Sequence, residues 1–232
     1  NEYIDYLNDR RQIEKNSNIR LKTIKKFINK INTKKLFEIG CAYGFFLNKV
    51  KYNFRNVSGI DINKKSIDYA KKNFNLDVYC EDFLSINKTI INNHDIFCLF
   101  DVIEHLKEPN KIINKISKES KKDSYIIITT GDISSLNAKV KGQNWRLIHP
   151  PSHIHYFNRK SIKKLLEKNH YDIISISYCG YYRNLGFILN KITFIKKYLG
   201  LLISFLDYFK ILRYDIYLNL FDIMFIIAKK NK

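Results

Sequence analysis

Residues 36–44 read LFEIGCAYG, an apolar strand that ends in a turn with two glycines, and the letters FFL then begin a helix. Glycines at the end of a strand let a ligand approach the main chain where side chains would block it. Asp61 closes the next apolar run, about 20 residues further on, where a carboxylate can accept both hydroxyls of a ribose. The two features together predict a nucleotide-type pocket at one edge of a sheet.

Apolar and amphipathic segments alternate on both sides of this turn. Strands are predicted at 35–39, 56–61, 77–80, 95–100, 124–130, 172–178 and 221–228, and helices at 19–31, 45–52, 64–74, 109–119 and 159–168. Such alternation is typical of right-handed crossovers between parallel strands. The pattern predicts an α/β fold: a Rossmann-like, doubly wound, seven-stranded and mostly parallel sheet with an antiparallel last strand and an N-terminal helix.

Two segments interrupt the alternation. Residues 131–158 hold two glycines, a tryptophan, a proline pair and three histidines, which predicts a long functional loop. Residues 185–213 predict a helical insertion with an apolar stripe, which packs over the sheet or forms a surface for a membrane, a lipid-linked substrate or a second subunit. We interpret 1–232 as a single domain, with the cofactor-binding half at 34–131 and the substrate loop, the insertion and the last strands at 132–232.

The composition limits the class of protein. The chain has 41 basic and 22 acidic residues and a net charge of +19, which is typical of a partner such as nucleic acid or an anionic membrane. The lysines are scattered, however, so a solvated surface is favoured over nucleic-acid binding. Four separate cysteines without a CxxC pair predict buried thiols in a reducing cytoplasm. The sequence shows no signal peptide and no membrane-spanning run, so a cytoplasmic protein is expected, with peripheral membrane contact through 185–213 as an alternative.

The first motif distinguishes between nucleotide cofactors. Residues 38–44, EIGCAYG, lack the GxGxxG spacing of dinucleotide-binding turns because Ala42 lies between Gly40 and Gly44. The segment resembles the acid-x-Gly-Cys-Gly-x-Gly motif of class I S-adenosylmethionine-dependent methyltransferases, in particular the polysaccharide-associated members of the type 11/12/23 group. Ala42 replaces the middle glycine of that motif. Since a methyl group is small, we expect the turn to form.

The resemblance implies S-adenosylmethionine as cofactor and S-adenosylhomocysteine as product. It places Asp61 on the ribose, Ile62 beside the adenine, Asp82 on the adenine amino group and Phe83 on the adenine ring. The cofactor-binding residues implied in this way are Glu38, Gly40, Cys41, Ala42, Tyr43, Gly44, Asp61, Ile62, Asp82, Phe83, Phe100 and Asp101.

Histidines are the candidates for catalysis. A methyl sulfonium is already electrophilic, so an enzyme mainly has to align the nucleophile and remove its proton. Residues 149–157, HPPSHIHYF, resemble a Pro-x-x-His-aromatic segment of methyltransferases encoded with polysaccharide-assembly enzymes. His153 is the leading general base, with His155 and His105 as further catalytic candidates. The alternative is that His153 only hydrogen-bonds the loop, and Trp145 and Tyr156 are either a stacking wall for a sugar or anchors of the loop.

Glu104 and His105 form a pair similar to one that contributes to a divalent-metal site in the methyltransferases of small-RNA 3′ ends and of ubiquinone synthesis. A metal here would have Asp101, Glu104, His105 and His153 as ligands. Metal-free relatives also carry the pair, so no metal is favoured. The preferred acceptor is a hydroxyl of a sugar or of a lipid-linked glycan. The alternatives are a metal-dependent RNA 2′-O-methyltransferase, a quinone-type O-methyltransferase and an inert binding module.

Overall fold

The computed structural model describes residues 6–191 and 211–231. The helices are α1 (Arg10–Phe27), α2 (Phe45–Val50), α3 (Lys64–Phe74), α4 (Lys88–Asn92), α5 (Pro109–Glu119), α6 (Leu136–Lys141), α7 (Arg159–Lys168) and α8 (Leu185–Lys191). The strands are β1 (Lys35–Ile39), β2 (Asn56–Asp61), β3 (Asp77–Cys80), β4 (Ile96–Phe100), β5 (Tyr125–Gly131), β6 (Tyr171–Tyr178), β7 (Tyr181–Asn184), β8 (Asp215–Leu218) and β9 (Ile223–Lys230).

Seven of these strands form one sheet in the order β3-β2-β1-β4-β5-β9-β6. The neighbours from β3 to β5 are parallel, and β9 runs antiparallel between β5 and β6. This confirms the predicted Rossmann-like fold with an antiparallel last strand. The strand order reverses between β1 and β4, and ligands of such sheets bind outside the carboxyl ends of the strands at that reversal.

The central strands are buried on both faces, as expected for a parallel sheet covered by helices. All five residues of β4 are buried, and they alternate between two clusters. Phe97 and Leu99 pack into one cluster, while Ile96, Cys98 and Phe100 pack into the other. Because successive side chains of a strand point to opposite faces, β4 contributes to the cores on both sides of the sheet.

The N-terminal helix differs from the prediction. It spans Arg10–Phe27 rather than 19–31, and Ile31–Thr33 is a separate 3-10 helix preceded by Lys30 in the left-handed region (φ 51°). The first half of α1 lacks an apolar stripe because its buried face is polar. Gln12 and Asn16 are buried there and bond to the hairpin described next. Apolar periodicity therefore detects only the second half of the helix.

A small antiparallel hairpin of β7 and β8 was not predicted. Within the predicted helical insertion at 185–213, α8 and the 3-10 helix Ile211–Arg213 are helical, and residues 192–210 lie outside the described residues. The hairpin is attached to α1, because the carboxylate of Asp215 accepts hydrogen bonds from Gln12 and Lys15 at 2.6 and 2.7 Å. Among the described residues no helix combines the length and the hydropathy needed to cross a bilayer.

Two further predictions need correction. The segment 131–158 is not a plain loop, because it contains α6 and the 3-10 helix Gly142–Asn144, and Ser135 Oγ caps α6 by accepting from the Ala138 amide at 3.1 Å. Of the four thiols, Cys41 and Cys98 are buried as predicted, Cys179 is half-buried and Cys80 is exposed. Cys80 is exposed because it ends β3, which is the edge strand of the sheet.

Candidate functional site

The turn after β1 adopts the backbone conformation that its glycines predict. Gly40, Ala42 and Gly44 all have positive φ angles, of 74°, 44° and 71°. A Cβ atom on Gly40 would lie 2.4 Å from Cγ2 of Val102, so glycine is required there. Ala42 tolerates its left-handed conformation, and the turn forms with a methyl group at the middle position.

Asp61 faces this turn from the end of β2. Its Oδ2 accepts a hydrogen bond from the Ala42 amide at 2.9 Å, and its Oδ1 accepts one from the Asn63 amide at 2.8 Å. Ile62, the next residue, is 76% exposed. The carboxylate and an exposed apolar side chain therefore lie beside the open turn, where the ribose and the adenine are expected.

Glu38, two residues before the turn, is buried with 4% of its surface exposed. Its Oε2 has no hydrogen-bond partner in the part of the chain that the structure describes. Burial raises the pKa of this carboxyl to about 8, the guanidinium of Arg20 opposes the rise, and Asp61 adds to it. A buried oxygen of this kind is available to a ligand group or to a water molecule.

The adenine contacts predicted for Asp82 and Phe83 remain predictions. Oδ1 of Asp82 accepts the Leu84 amide at 2.7 Å, which shapes the turn after β3. Phe83 is only 5% exposed and packs against Phe37, with ring centroids 6.2 Å apart. Phe83 thus belongs to the core, and little of its ring is available to a nucleobase.

Asp101 follows β4 directly and has a positive φ of 58°. Its carboxylate accepts hydrogen bonds from Arg20 of α1 at 2.8 Å, from the Tyr181 hydroxyl at 2.8 and 2.9 Å, and from Thr129 Oγ1 at 2.9 Å. Burial, followed by the charge of Asp101, raises the pKa of the Tyr181 hydroxyl, so this phenol stays protonated and donates. The N-terminal helix and the hairpin thus converge on the end of β4.

A second group of polar side chains lies three residues further on. One ligand-type atom each of Glu104, His105 and His153 lies within 4.8 Å of the others, and the two imidazole rings are 4.5 Å apart. His105 Nδ1 donates to the Ser152 carbonyl and His153 Nδ1 to the Leu147 carbonyl, both at 2.8 Å. Because a carbonyl oxygen only accepts, Nδ1 carries the proton in both rings, and Nε2 is the basic atom of each neutral imidazole.

The carboxylate in this group is buried, with 5% of Glu104 exposed. Burial, together with the charge of Asp101, raises the pKa of the Glu104 carboxyl to about 8, although a hydrogen bond from Thr130 Oγ1 at 3.0 Å opposes the rise. The Glu104 backbone carbonyl accepts the amides of Ile154 and His155 at 3.0 and 3.1 Å. Those two bonds hold the histidine loop against the end of β4.

The same loop lines a pocket whose floor is formed by Glu104, Thr130 and Gly131. Trp145 is 2% exposed and donates its Nε1–H to the buried Asp222 carboxylate at 2.9 Å, so it anchors the loop as well as lining the pocket. Tyr156 is 37% exposed, and its hydroxyl donates to the His153 carbonyl at 3.1 Å.

The three histidines proposed for catalysis are not equivalent. His105 and His153 contact each other, whereas His155 also lines the pocket but has its Nε2 3.4 Å from the Lys107 carbonyl and its ring 6.1 Å from Phe157. The predicted metal set is likewise divided. Glu104, His105 and His153 come together, while Asp101 is bound by Arg20 and Tyr181 and lies outside that group.

A sequence model for a methyltransferase domain, Methyltransf_23, matches residues 9–176 of the chain. The chain belongs to this family. Within it, the site described above has the features of class I S-adenosylmethionine-dependent methyltransferases of the 11/12/23 group, as predicted from the first motif.

Solved structures share the fold of this methyltransferase domain. A SAM-dependent methyltransferase from Archaeoglobus fulgidus is 18% identical, with a TM-score of 0.63 over 97% of this chain and 99% of its own. Magnesium protoporphyrin IX methyltransferase from Synechocystis, solved with bound SAH, is 12% identical, with a TM-score of 0.62 over 95% of this chain and 84% of its own.

A curated relative covers a shorter region. The UPF0146 protein MJ0688 of Methanocaldococcus jannaschii is 33% identical over 81 residues, which are 35% of this chain. The match spans 58% of the relative's length. The solved structures show the fold, the sequence model shows the family, and the acceptor is left to the residues of the site.

The methyltransferase site fits its cofactor. The turn after β1 lets a ligand approach the main chain, and Asp61 offers a carboxylate to a ribose. Glu38 offers a buried oxygen that no donor of the described residues reaches. S-adenosylmethionine carries two ribose hydroxyls and an ammonium group, and these are the donors that such acceptors need. The chemistry of the acceptor set therefore agrees with the family's cofactor.

Three residues at the methyltransferase site were missed from the sequence: Tyr6, Arg20 and Tyr181. Arg20 was not singled out in the sequence, but its spacing of four from the buried Ile24 puts it on the inner face of α1, and this signal was available. Tyr181 lies on the hairpin, and Tyr6 precedes the recognisable helix. Neither carries a local signal that would relate it to the turn.

Proposed function

We propose that this protein transfers the methyl group of S-adenosylmethionine to a hydroxyl oxygen of a sugar, in a glycan or a lipid-linked glycan. The observation that carries the proposal is the group of Glu104, His105 and His153, which begins three residues beyond Asp101. Glu104 and His153 of this group line a pocket. Oxygen acceptors need a base because a neutral hydroxyl is a weak nucleophile. A basic group next to the cofactor edge of the sheet meets that need.

S-adenosylmethionine supplies, when bound, a methyl group on a positively charged sulfur. The chain's own residues bind and orient it: Asp61 receives the ribose hydroxyls, and the open turn after β1 receives the rest of the nucleoside. Arranging two reactants for in-line attack accounts for much of the catalysis that such a site provides.

His153 takes the proton of the acceptor hydroxyl on Nε2, since its Nδ1–H is already donated to the Leu147 carbonyl. An imidazolium forms in that step. When Glu104 is ionised, its carboxylate, which has an oxygen within 4.8 Å of the ring nitrogen, stabilises the positive charge. His105 lies against the His153 ring and fixes its orientation.

The sugar acceptor is supported by the lining of the pocket and by the resemblance of residues 149–157 to polysaccharide-associated enzymes. Trp145 and Phe157 give the pocket an apolar wall, and Tyr156 presents an exposed ring on which a sugar can stack. His155 adds a polar group at the rim.

The direct test is a transfer assay with methyl-labelled S-adenosylmethionine and a panel of acceptors. The panel contains nucleotide-activated sugars, short oligosaccharides, polyprenyl-linked saccharides, a catechol-type quinol and short RNAs. We expect label in a sugar, identified by mass spectrometry of the methylated product. Label confined to the quinol or to RNA contradicts the sugar proposal.

A second candidate is metal-dependent transfer to a 2′-hydroxyl of RNA. The same three ligand atoms within 4.8 Å favour it, together with the net charge of +19. Donation of Nδ1–H to a backbone carbonyl, as seen for His105 and His153, is the usual arrangement of metal-ligating histidines. Two imidazoles and one carboxylate suit a divalent transition metal such as manganese, iron, cobalt or zinc.

Chelation separates the two candidates. We expect sugar methylation to persist in an excess of EDTA and to be unaffected by added Mn²⁺ or Zn²⁺, because protonation chemistry at His153 needs no metal. Loss of transfer in EDTA with recovery on metal addition favours the second candidate. In that case RNA binding also falls steeply between 50 and 200 mM salt, by about 10³-fold or more for six or more phosphate contacts.

A further inference from the structure

We propose that Arg20 binds the carboxylate at the amino-acid end of the cofactor, which makes the N-terminal helix part of the cofactor site. The inference rests on the proposed function, in which S-adenosylmethionine is the methyl donor. That molecule is a nucleoside at one end and a zwitterion at the other. The turn and Asp61 account for the nucleoside, and the α-carboxylate requires a cation.

Arg20 reaches from α1 to the end of β4, where two cofactor contacts are predicted. Its guanidinium lies 4.2 Å above the Phe100 ring and donates to Oδ2 of Asp101 at 2.8 Å. The side chain is 13% exposed, whereas that of Asp101 is 40% exposed. The cation is therefore fixed between an aromatic face and an acid at the carboxyl edge of the sheet, on the β4 side of the reversal in strand order.

The charge and the donors of Arg20 suit a carboxylate. Burial alone would lower the pKa of this guanidinium, but Asp101 and then Tyr181 raise it overall, so the group is cationic. A guanidinium has five N–H donors, and within residues 6–191 and 211–231 this one makes a single hydrogen bond. Donors remain for a second anion, and a planar fork binds carboxylates in a bidentate manner.

The two carboxylates near Arg20 suit the ammonium group of the same zwitterion. Asp101 is partly exposed, and Glu38 has a buried Oε2 without a donor. Both carboxylates interact with the Arg20 charge, so a cation and two acids lie together beside the turn. Arg20 and Asp101 pair with each other, and an amino acid's carboxylate and ammonium offer each of them a further partner of opposite charge.

Tyr6 places a further side chain from the N-terminal part of the chain beside the turn, close to Glu38 and Arg20. Its ring stacks on Tyr43 of the turn at 5.8 Å and on Phe45 at 5.9 Å. Burial raises the pKa of its hydroxyl, and the charge of Glu38 raises it further. The hydroxyl therefore stays protonated near the acids, and Tyr6 adds a hydrogen-bond donor beside the turn.

The competing interpretation is that Arg20 only attaches α1 to the sheet. Two ligands distinguish these roles, because S-adenosylhomocysteine has the amino-acid end and 5′-methylthioadenosine lacks it. Affinities of both are measured by calorimetry for the native chain, for Arg20→Gln and Arg20→Lys, and for Lys25→Gln, which removes an exposed cation from the same helix.

We expect Arg20→Gln to weaken S-adenosylhomocysteine binding by about 10- to 100-fold, as a lost charged hydrogen bond does, and to change 5′-methylthioadenosine binding by less than about 3-fold. The affinity of Arg20→Lys for S-adenosylhomocysteine should lie between those of the native chain and Arg20→Gln, and Lys25→Gln should leave both affinities unchanged. Equal losses for both ligands, or none, overturn the inference while leaving the cofactor assignment intact. Failure of the native chain to bind S-adenosylhomocysteine overturns both.

Discussion

Replacing Asp61 by alanine is expected to weaken S-adenosylhomocysteine binding by about 100-fold or more. The carboxylate is expected to accept two ribose hydroxyls, and each charged hydrogen bond contributes about 1.5–3 kcal/mol. Its loss also removes the acceptor of the Ala42 amide, which lies in the turn itself. Calorimetric titration measures the affinity, and thermal unfolding checks that the variant is folded.

Asp68→Ala is the matched control, because it removes an exposed carboxylate from the neighbouring helix α3. It should bind the cofactor as the native chain does. Asp61→Asn keeps one acceptor oxygen, so its affinity should lie between those of the native chain and Asp61→Ala. An Asp61→Ala variant with native affinity is incompatible with the assignment of this carboxylate to the ribose.

The largest effect on turnover is expected at the histidine group. His153→Ala should lower kcat by about 10²- to 10⁴-fold, the usual contribution of a positioned general base. Cofactor affinity should be nearly unchanged, because the loop is held to β4 by backbone bonds to the Glu104 carbonyl. Steady-state kinetics on the methylated sugar, with calorimetry beside it, separates the two quantities.

The same group predicts the pH dependence of the native enzyme. Glu104 must be ionised to stabilise the imidazolium, and the pKa of this carboxyl is raised to about 8. The active form is therefore lost as the pH falls below 8, so kcat should rise about tenfold per unit towards 8 and level off above it. Glu104→Gln keeps the shape and the contact with Thr130 but should remove this rise.

His170→Asn is the control for these variants. His170 is exposed beyond α7 and has a positive φ of 64°, a conformation that asparagine accepts. It should leave both kcat and the pH profile unchanged. A His153→Ala enzyme with native turnover would exclude His153 as the base, and a flat native profile would exclude ionisation of Glu104 from the mechanism.

Much of the fold was predictable because its signals are local. β1, β2, β3, α3, α5 and α7 begin and end at the predicted residues, since each is a short apolar run or an amphipathic stripe bounded by turn residues. The hairpin of β7 and β8 is different. Its strands pair across residues 185–214, and no turn dipeptide joins them, so the sequence offers no hairpin signal.

The candidate site was predictable to the extent that it is built from motifs. The turn and Asp61 occupy the arrangement that their spacing indicates, and Glu104, His105 and His153 come together across almost fifty residues of sequence. Asp101 was assigned to two roles, and the structure pairs it with Arg20. That partner lies some eighty residues away on α1, where its spacing from Ile24 indicates the inner face of the helix but not which acid it meets, and only tertiary packing shows the pair.

The short stretch after β4 contacts both the donor side and the acceptor side of the site. Asp101 bonds to the N-terminal helix beside the expected donor site, and the Glu104 carbonyl holds the loop that lines the acceptor pocket. The separation of donor and acceptor is therefore set by three residues of backbone, and these are already ordered before either substrate binds. The loop at 145–157 can change its side chains, and with them the acceptor, while the distance over which the methyl group travels stays the same.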